Sequence, residues 1–279
     1  MREINAILIT QTVKKLCIES NCHLSGDIKE CISEFHKNEP WPQAKEILER
    51  IIENYNIADE NNQPICQDTG MTCVFLKIGQ DVHVIGDIKD AVNEGVRQGY
   101  TEGFLRKSVV RDPLDRVNTG DNTPAMIYFD IVPGDEIEIT VAPKGFGSEN
   151  MSRIAMLRPS DGLQGVKNFV VNVVKEAGPN PCPPIVVGVG IGGTFDKAAY
   201  MAKKALLRPV DEKNESEFYA NLEDELLESI NALGIGPQGF GGKTTALAVN
   251  VEWCPTHIAG LPVAVNINCH VTRHKSEVI

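Results

Sequence analysis

No stretch of this 279-residue sequence is long and apolar enough to span a bilayer, which takes about twenty residues. The opening segment MREINAILITQTVKKLCIES mixes Arg2, Glu3, Lys14 and Lys15 into its apolar positions. It therefore lacks the uninterrupted core and small-residue cleavage site of a signal peptide. The chain reads as cytoplasmic, with no membrane partner. Long basic runs are missing too, and the formal net charge is −11, so the positive footprint that nucleic-acid binding requires is not there. A small anionic substrate stays compatible, because one or two arginines can locally outweigh a negative mean field. None of the eight cysteines forms a C-x-x-C pair, which argues against a zinc ribbon. In a cytosolic chain such cysteines are reduced, metal-bound or simply buried rather than disulfide-paired. There is no internal repeat, no low-complexity tract and no evident interdomain linker.

What is present is an ordinary globular composition, 42% hydrophobic and 23% charged, in a chain long enough to bury one large core or two small ones. Residues 3–35 read as mainly helix, with Ile9, Val13 and Leu16 at helical spacing. A second helix starts after Pro40 and Pro42 and carries a stripe of Ala44, Ile47, Leu48, Ile51 and Ile52. NNQPICQDTG reads as a loop, because it is polar and holds Pro64 and Gly70. Beyond it, TCVFLKIG and AMIYFDIVPGDEIEITVAP read as strands, the latter two joined by a Pro-Gly-Asp turn. Two further helices, the strand PPIVVGVGIGG, the helix TFDKAAYMAKKALL and a helix ending near Leu233 follow. The last 45 or so residues read as short strands and loops. The fold class is α+β: a helical N-terminal part of about residues 1–60, then a mixed sheet-and-helix region.

Two glycine patterns resemble nucleotide-binding loops. GPQGFGGKTT contains Gly242-Lys243-Thr244, but a phosphate-binding loop needs a glycine at position 237, where this chain has Pro237. TALAVNVEW after it reads as a strand, whereas a phosphate loop feeds a helix. Gly188, Gly190 and Gly193 match the G-x-G-x-x-G dinucleotide fingerprint between a strand and a helix, with Asp211 downstream. The polar stretch RPVDEKNESE cannot be the buried parallel strand that would complete the unit. A tight strand-to-helix turn explains these glycines more simply.

Three cysteines occupy loop settings: Cys66 in PICQDTG, Cys182 in GPNPCPPI and Cys269 in NINCHVTRH. Cys17, Cys22, Cys31 and Cys73 sit in apparent helices or strands and fit buried thiols. Cys254 is ambiguous, since Cys254-x-x-His257 taken alone has half of a metal-site spacing. ICQDTG, LRKSVVRDPLDRVNTGDNTPA, KGFGSENMS, NPCPPIVVGVGIGGTFDKA, GPQGFGGKTTALAV and HIAGLPVAVNINCHVTRH occur in order from about residue 60 onward. Together they resemble the class I, iron–sulfur-dependent fumarate hydratases, and more closely the alpha subunit of their two-subunit form. That form is also similar to the alpha subunit of L-tartrate dehydratase.

The resemblance implies that residues 1–279 form one cluster-binding domain. It implies a 4Fe–4S cluster held by Cys66, Cys182 and Cys269, with one open iron able to act as a Lewis acid. The implied reaction is reversible hydration of fumarate to malate. Asp68 and His257 match the acid/base and hydroxyl-binding positions, while Gln67, Arg106 and Gly147 match positions that contact the dicarboxylate substrate. A guanidinium suits a carboxylate because its planar fork binds both oxygens. Single-chain relatives of this family carry a second domain with further catalytic groups, and this sequence stops at Ile279. The implied partner is therefore a separate beta subunit in a hetero-oligomer. The alternatives are L-tartrate as substrate, a non-catalytic iron–sulfur or scaffold protein, and an NAD-binding oxidoreductase.

Overall fold

The computed structural model describes residues 1–279. A short strand, β1 (Arg2–Asn5), leads into α1 (Ala6–Cys22). Asn5 caps that helix by accepting the Ile7 amide at 2.9 Å, which satisfies one of the donors a helix N-terminus leaves open. Then come α2 (Gly26–Asn38) and α3 (Pro42–Asn61), whose Pro42 occupies a first-turn position where a missing N–H costs nothing. Of the stripes read from spacing, Ile9, Val13 and Leu16 in α1 and Ala44, Leu48 and Ile51 in α3 are buried, while Ile47 and Ile52 on the flanks of the α3 stripe are only half-buried. Next are β2 (Met71–Gly79), β3 (Val82–Ile85), α4 (Ile88–Glu102), β4 (Met126–Val132) and β5 (Ile137–Lys144). A single turn, α5 (Phe146–Glu149), precedes β6 (Arg153–Leu157), α6 (Gly162–Ala177), β7 (Ile185–Gly193) and α7 (Phe195–Ala205). The chain continues with α8 (Glu217–Asn231), β8 (Ala246–Thr256), β9 (Leu261–Asn268) and β10 (Lys275–Val278). The architecture is α+β, and no helix is long and apolar enough to cross a membrane.

Two compact units are built from non-contiguous stretches. The first comprises Met1–Ser25, Tyr55–Phe146 and Arg273–Ile279. Its four-stranded sheet has the order β10-β5-β2-β4, with β2 parallel to β4 and antiparallel to β5. The Pro133-Gly134-Asp135 turn does join β4 to β5, but it makes no hairpin, because β2 lies between them. The end of β2 passes beneath the turn: a Cβ on Gly79 would come 2.3 Å from the Gly134 oxygen, so only glycine fits. β1 falls within the stretch read as helix; pairing with β3 recruits it as strand, a tertiary contact overriding local pattern. Helices α1 and α4 pack closely at Gly95, where a Cβ would meet the Thr10 carbonyl at 2.7 Å. Val13, Leu16, Val92 and Val96 then close over Val74, Leu76, Ile139 and Val141 of the sheet.

The second unit comprises Gly26–Asn54 and Gly147–Thr272. Its sheet has the order β6-β9-β7-β8, with β7 parallel to β8 and antiparallel to β9. Residues of β7 alternate between faces. Ile185, Val187, Val189 and Ile191 meet α6 and α8 in a core that includes Val170, Val174, Leu226 and Ile230. Each such side chain contributes about 1.5–3 kcal/mol. On the other face Gly188 and Gly190 let α7 lie directly on the strand. A Cβ at either would come 2.1 Å from a helix carbonyl, that of Ala202 or Ala198 respectively. Two glycines of the dinucleotide-like pattern are thus used for helix–strand packing.

Candidate functional site

In the first unit the loop that carries Cys66, Gln67 and Asp68 is tied down from several directions. The Asp68 amide donates to Cys66 Sγ at 3.4 Å. Asp68 Oδ1 accepts the Gly70 amide at 3.0 Å, forming an Asx turn. Asp68 Oδ2 accepts the Phe146 amide, also at 3.0 Å. Each carboxylate oxygen thus keeps lone-pair capacity for one more proton donor. Below the loop, Tyr100 places its hydroxyl 2.6 Å from the Thr69 carbonyl and 3.1 Å from that of Gly70, and burial pushes this phenol's pKa up. Asn122 donates to the Gly70 carbonyl at 3.2 Å and accepts the Ser108 amide at 2.7 Å. Thr69 Oγ1 donates to the Arg106 carbonyl at 2.7 Å. That bond fastens the Arg106 backbone to the loop, while the guanidinium stem and the Gln67 side chain are exposed. The structure therefore brings Cys66, Gln67, Asp68 and Arg106 into one neighbourhood.

In the second unit strand pairing does the same for residues far apart in sequence. Val186 of β7 faces Asn268 of β9, which sets the segment before β7, with Cys182, beside Cys269 just after β9. The His270 amide donates to the Cys182 carbonyl at 3.4 Å. The His270 ring Nδ1 lies 3.1 Å from that oxygen and 3.2 Å from Gln238 Nε2. It donates to the first when it carries the proton and accepts from the second when it does not. Gln238 also donates twice to the Pro183 carbonyl, from its backbone amide and from Nε2, each at 2.8 Å. Both Cys182 (φ 54) and Gln238 (φ 52) sit in the left-handed region, which costs a non-glycine residue about 1–2 kcal/mol. Gly147 is exposed, and a Cβ there would stand 3.8 Å from the Asn180 carbonyl in the Cys182 loop.

GPQGFGGKTT thus acts as a clasp on the Cys182 and Cys269 loops, and its phosphate-cradle likeness has a structural answer. The amides that would face a phosphate face Glu39, only 4% exposed. The Lys243 amide reaches both Glu39 oxygens at 3.1 Å, the Thr244 amide reaches Oε2 at 2.9 Å and Thr244 Oγ1 donates to the same oxygen at 2.6 Å. Burial alone would raise this carboxyl's pKa; the bonds from Thr244, Lys243 and Trp41 outweigh it and hold the group below its ordinary value. The nest of N–H groups is filled by the chain's own anion.

His257 stands apart. It follows β8 at the end of β7 marked by Gly193, whose carbonyl accepts Thr256 Oγ1 at 2.9 Å. Its exposed ring accepts the Ala259 amide at Nδ1 (3.2 Å), so the neutral form carries its proton on Nε2, pointing outward. The eight residues of β9 separate it from Cys269, roughly 25–30 Å at strand rise. Within this unit His257 and the Cys182–Cys269 pair are at opposite ends of the sheet. Two cavities of this unit, about 310 and 390 Å³, are lined by none of the predicted site residues.

A family model described as Fumarate hydratase (Fumerase) matches residues 10–278. The chain belongs to the fumarate hydratase family. It is 48% identical over 272 residues to a Methanocaldococcus jannaschii protein named "Putative L(+)-tartrate dehydratase subunit alpha", covering 95% of each chain. Proteins named L(+)-tartrate dehydratase subunit alpha from Escherichia coli strains UTI89 and K12 are 33% and 32% identical over 269 residues. Those matches cover 95% of this chain and 88% of each relative. As a member of the fumarate hydratase family, the chain is a hydro-lyase.

Three residues of this hydro-lyase chain escaped sequence reasoning. Glu39 and Gln238 are supports whose partners lie far away in sequence, so no local pattern marks them. Arg273 is only 5% exposed; it donates through Nη2 to the Asp68 carbonyl, and its Nε and Nη1 have no partner. Its position four residues beyond Cys269 was the one available hint.

Proposed function

We propose that this chain is the alpha subunit of a two-subunit, 4Fe–4S-dependent hydro-lyase that interconverts fumarate and malate. The observation that carries the reading is the Cys66–Asp68 loop. It presents a thiol that accepts a backbone N–H next to a carboxylate with unused lone pairs, on a foundation fixed by Tyr100 and Asn122. N–H···S bonds of this kind tune cluster thiolates. The donor set also fits. Cys66, Cys182 and Cys269 lie on loops outside regular elements, and none of the eight cysteines is in a disulfide. By contrast, burial raises the pKa of Cys17 and Cys22, and burial together with Glu34, Asp27 and Asp211 pushes Cys31 up to about 12. Those three are held as thiols. No group of three or more His, Cys, Asp or Glu is gathered for a single metal ion, and cluster ligands bind different irons rather than converging on one.

A bound cluster would supply an open iron as Lewis acid for the substrate's hydroxyl and carboxylate. The chain's own residues then have defined tasks. Arg106 binds a substrate carboxylate with its planar fork, Gln67 adds a hydrogen bond, and Gly147 leaves room for close approach. Asp68 holds the proton that moves as the hydroxyl adds to one carbon of the double bond and hydrogen to the other. Because His257 stands at the far end of its own sheet from Cys182 and Cys269, we assign it to the site of another copy of the chain. With the beta subunit present throughout, mixing a Cys269→Ser chain with a His257→Ala chain should then restore activity that neither variant gives by itself; no restoration removes His257 from the mechanism.

The relatives' subunit-alpha names support a beta subunit as partner. A second reading, dehydration of L(+)-tartrate, is favoured by the substrate in the relatives' names. Kinetics of the reconstituted alpha–beta pair on malate, fumarate and both tartrate enantiomers separate the two. Turnover of tartrate but not malate would overturn the fumarate assignment, and full turnover by this chain alone would overturn the division of labour. The NAD-binding alternative loses support, because Gly188 and Gly190 are occupied by α7. A rise in thermal stability on adding NAD would revive it.

A further inference from the structure

Arg273 poses a charge problem that the chain does not solve by itself. Guanidinium remains protonated in proteins, and this one is 5% exposed. Its hydrogen bond goes to a neutral acceptor, the Asp68 carbonyl, and no carboxylate forms an ion pair with it. Nε and Nη1 are buried donors with nothing to donate to. A trapped water would satisfy a donor but would leave the charge unbalanced. Buried charges persist in proteins when paired, and an unpaired one costs several kcal/mol. Every residue named around it belongs to the first unit, and the contact it makes is to the loop of Cys66 and Asp68.

We propose that Arg273 is the buried counter-charge for an anion held at the Cys66–Asp68 loop. The inference rests on the hydro-lyase reading for the identity of that anion. Three thiolates outweigh the positive charge of a 4Fe–4S core, so the loaded assembly is itself anionic and is one source. A substrate carboxylate is the other. In either case Arg273 acts through charge and hydrogen bonds at the edge of the site, as a positioning residue, and Asp68 keeps the proton-handling task.

The proposal has a signature that a purely structural arginine lacks. In the full-length chain without cluster, Arg273→Met removes an uncompensated buried cation, so Tm rises, by roughly 2–4 °C for each kcal/mol gained. After anaerobic loading with iron and sulfide, the same substitution removes the counter-charge. Tm then falls below wild type, and iron is lost to a chelator severalfold faster. Arg273→Lys keeps the charge and lies between the two. If the anion is a substrate carboxylate instead, the crossover is absent on loading. It appears as loss of the Tm increase that succinate, a non-reacting dicarboxylate, gives the wild-type chain. A variant that melts below wild type in the apo, loaded and succinate-bound states alike, or that fails to fold, overturns the proposal, as does one indistinguishable from wild type throughout. Should the wild-type chain take up neither iron nor sulfide, the cluster reading fails separately, and the apo and succinate arms still decide the role of Arg273.

Discussion

Replacing Glu39 by alanine tests the most densely bonded support in the second unit. Its carboxylate accepts the Lys243 and Thr244 amides, Thr244 Oγ1 and, at 3.2 Å, the Trp41 amide. Bonds to a charged acceptor are worth about 1.5–3 kcal/mol each, and an abandoned buried donor costs about 1–3 kcal/mol. Thr244 is itself buried, so its amide cannot turn to bulk water without movement. Against this stands the relief of desolvating a carboxylate, which cancels part of the sum. A net loss of about 3–5 kcal/mol follows, in line with breaking other buried charge contacts, or a Tm drop of roughly 10 °C. The sign of the pH dependence is fixed by the depressed pKa of Glu39. Its contribution is full above the unfolded-state value of about 4.3 and is lost as pH falls through the lower folded value. Urea unfolding of wild type and Glu39→Ala should therefore differ fully at pH 7 and converge well below pH 4. Formate, small enough to enter the emptied nest, should recover part of the loss. Equal stability at pH 7, or a gap that does not change with pH, would refute the reasoning.

Gly190→Ala drives a methyl to 2.1 Å from the Ala198 carbonyl; α7 must lift, and stability should fall by about 3 kcal/mol in denaturant titrations, with no NAD-dependent change in either protein. Gln238→Ala removes the side-chain bond to Pro183 and the contact with His270. In the loaded chain it should speed iron release severalfold, while Gln238→Gly, freed of the left-handed strain at φ 52, should lose less overall stability. Lys243→Ala should leave equilibrium dialysis against ATP unchanged from wild type, with neither protein retaining nucleotide, because the neighbouring amides already hold Glu39.

Much of the fold was legible because periodicity reports burial directly. The stripes of α1 and α3 and the strand-then-helix succession of β7 and α7 were read from residue spacing alone. The strands not marked by spacing are short: β1 and β3 have four residues each and β6 five, and they bury too little for alternation to stand out. Insertion of β2 between β4 and β5 is a non-local pairing that no turn residue records. At the site, chain distance misled in both directions. Cys182 and Cys269 are joined by the β7–β9 ladder, although most of the second unit's sequence separates them. His257 is twelve residues before Cys269 in the sequence, and the extended β9 carries it to the far end of the sheet. The loop cysteines were visible as chemistry, but their grouping came from family resemblance. Glu39, Gln238 and Arg273 gain their roles only from partners the fold supplies.

The central claim, that Cys66, Cys182 and Cys269 hold one cluster, is tested most directly by counting iron and sulfide. After anaerobic reconstitution the wild-type chain should carry about four of each, as a 4Fe–4S cluster requires, with broad thiolate-to-iron absorbance. Cys66→Ser, Cys182→Ser and Cys269→Ser should each lose most of it, and Cys73→Ser and Cys254→Ser should retain it. Unchanged iron and sulfide in the first three variants would contradict the account.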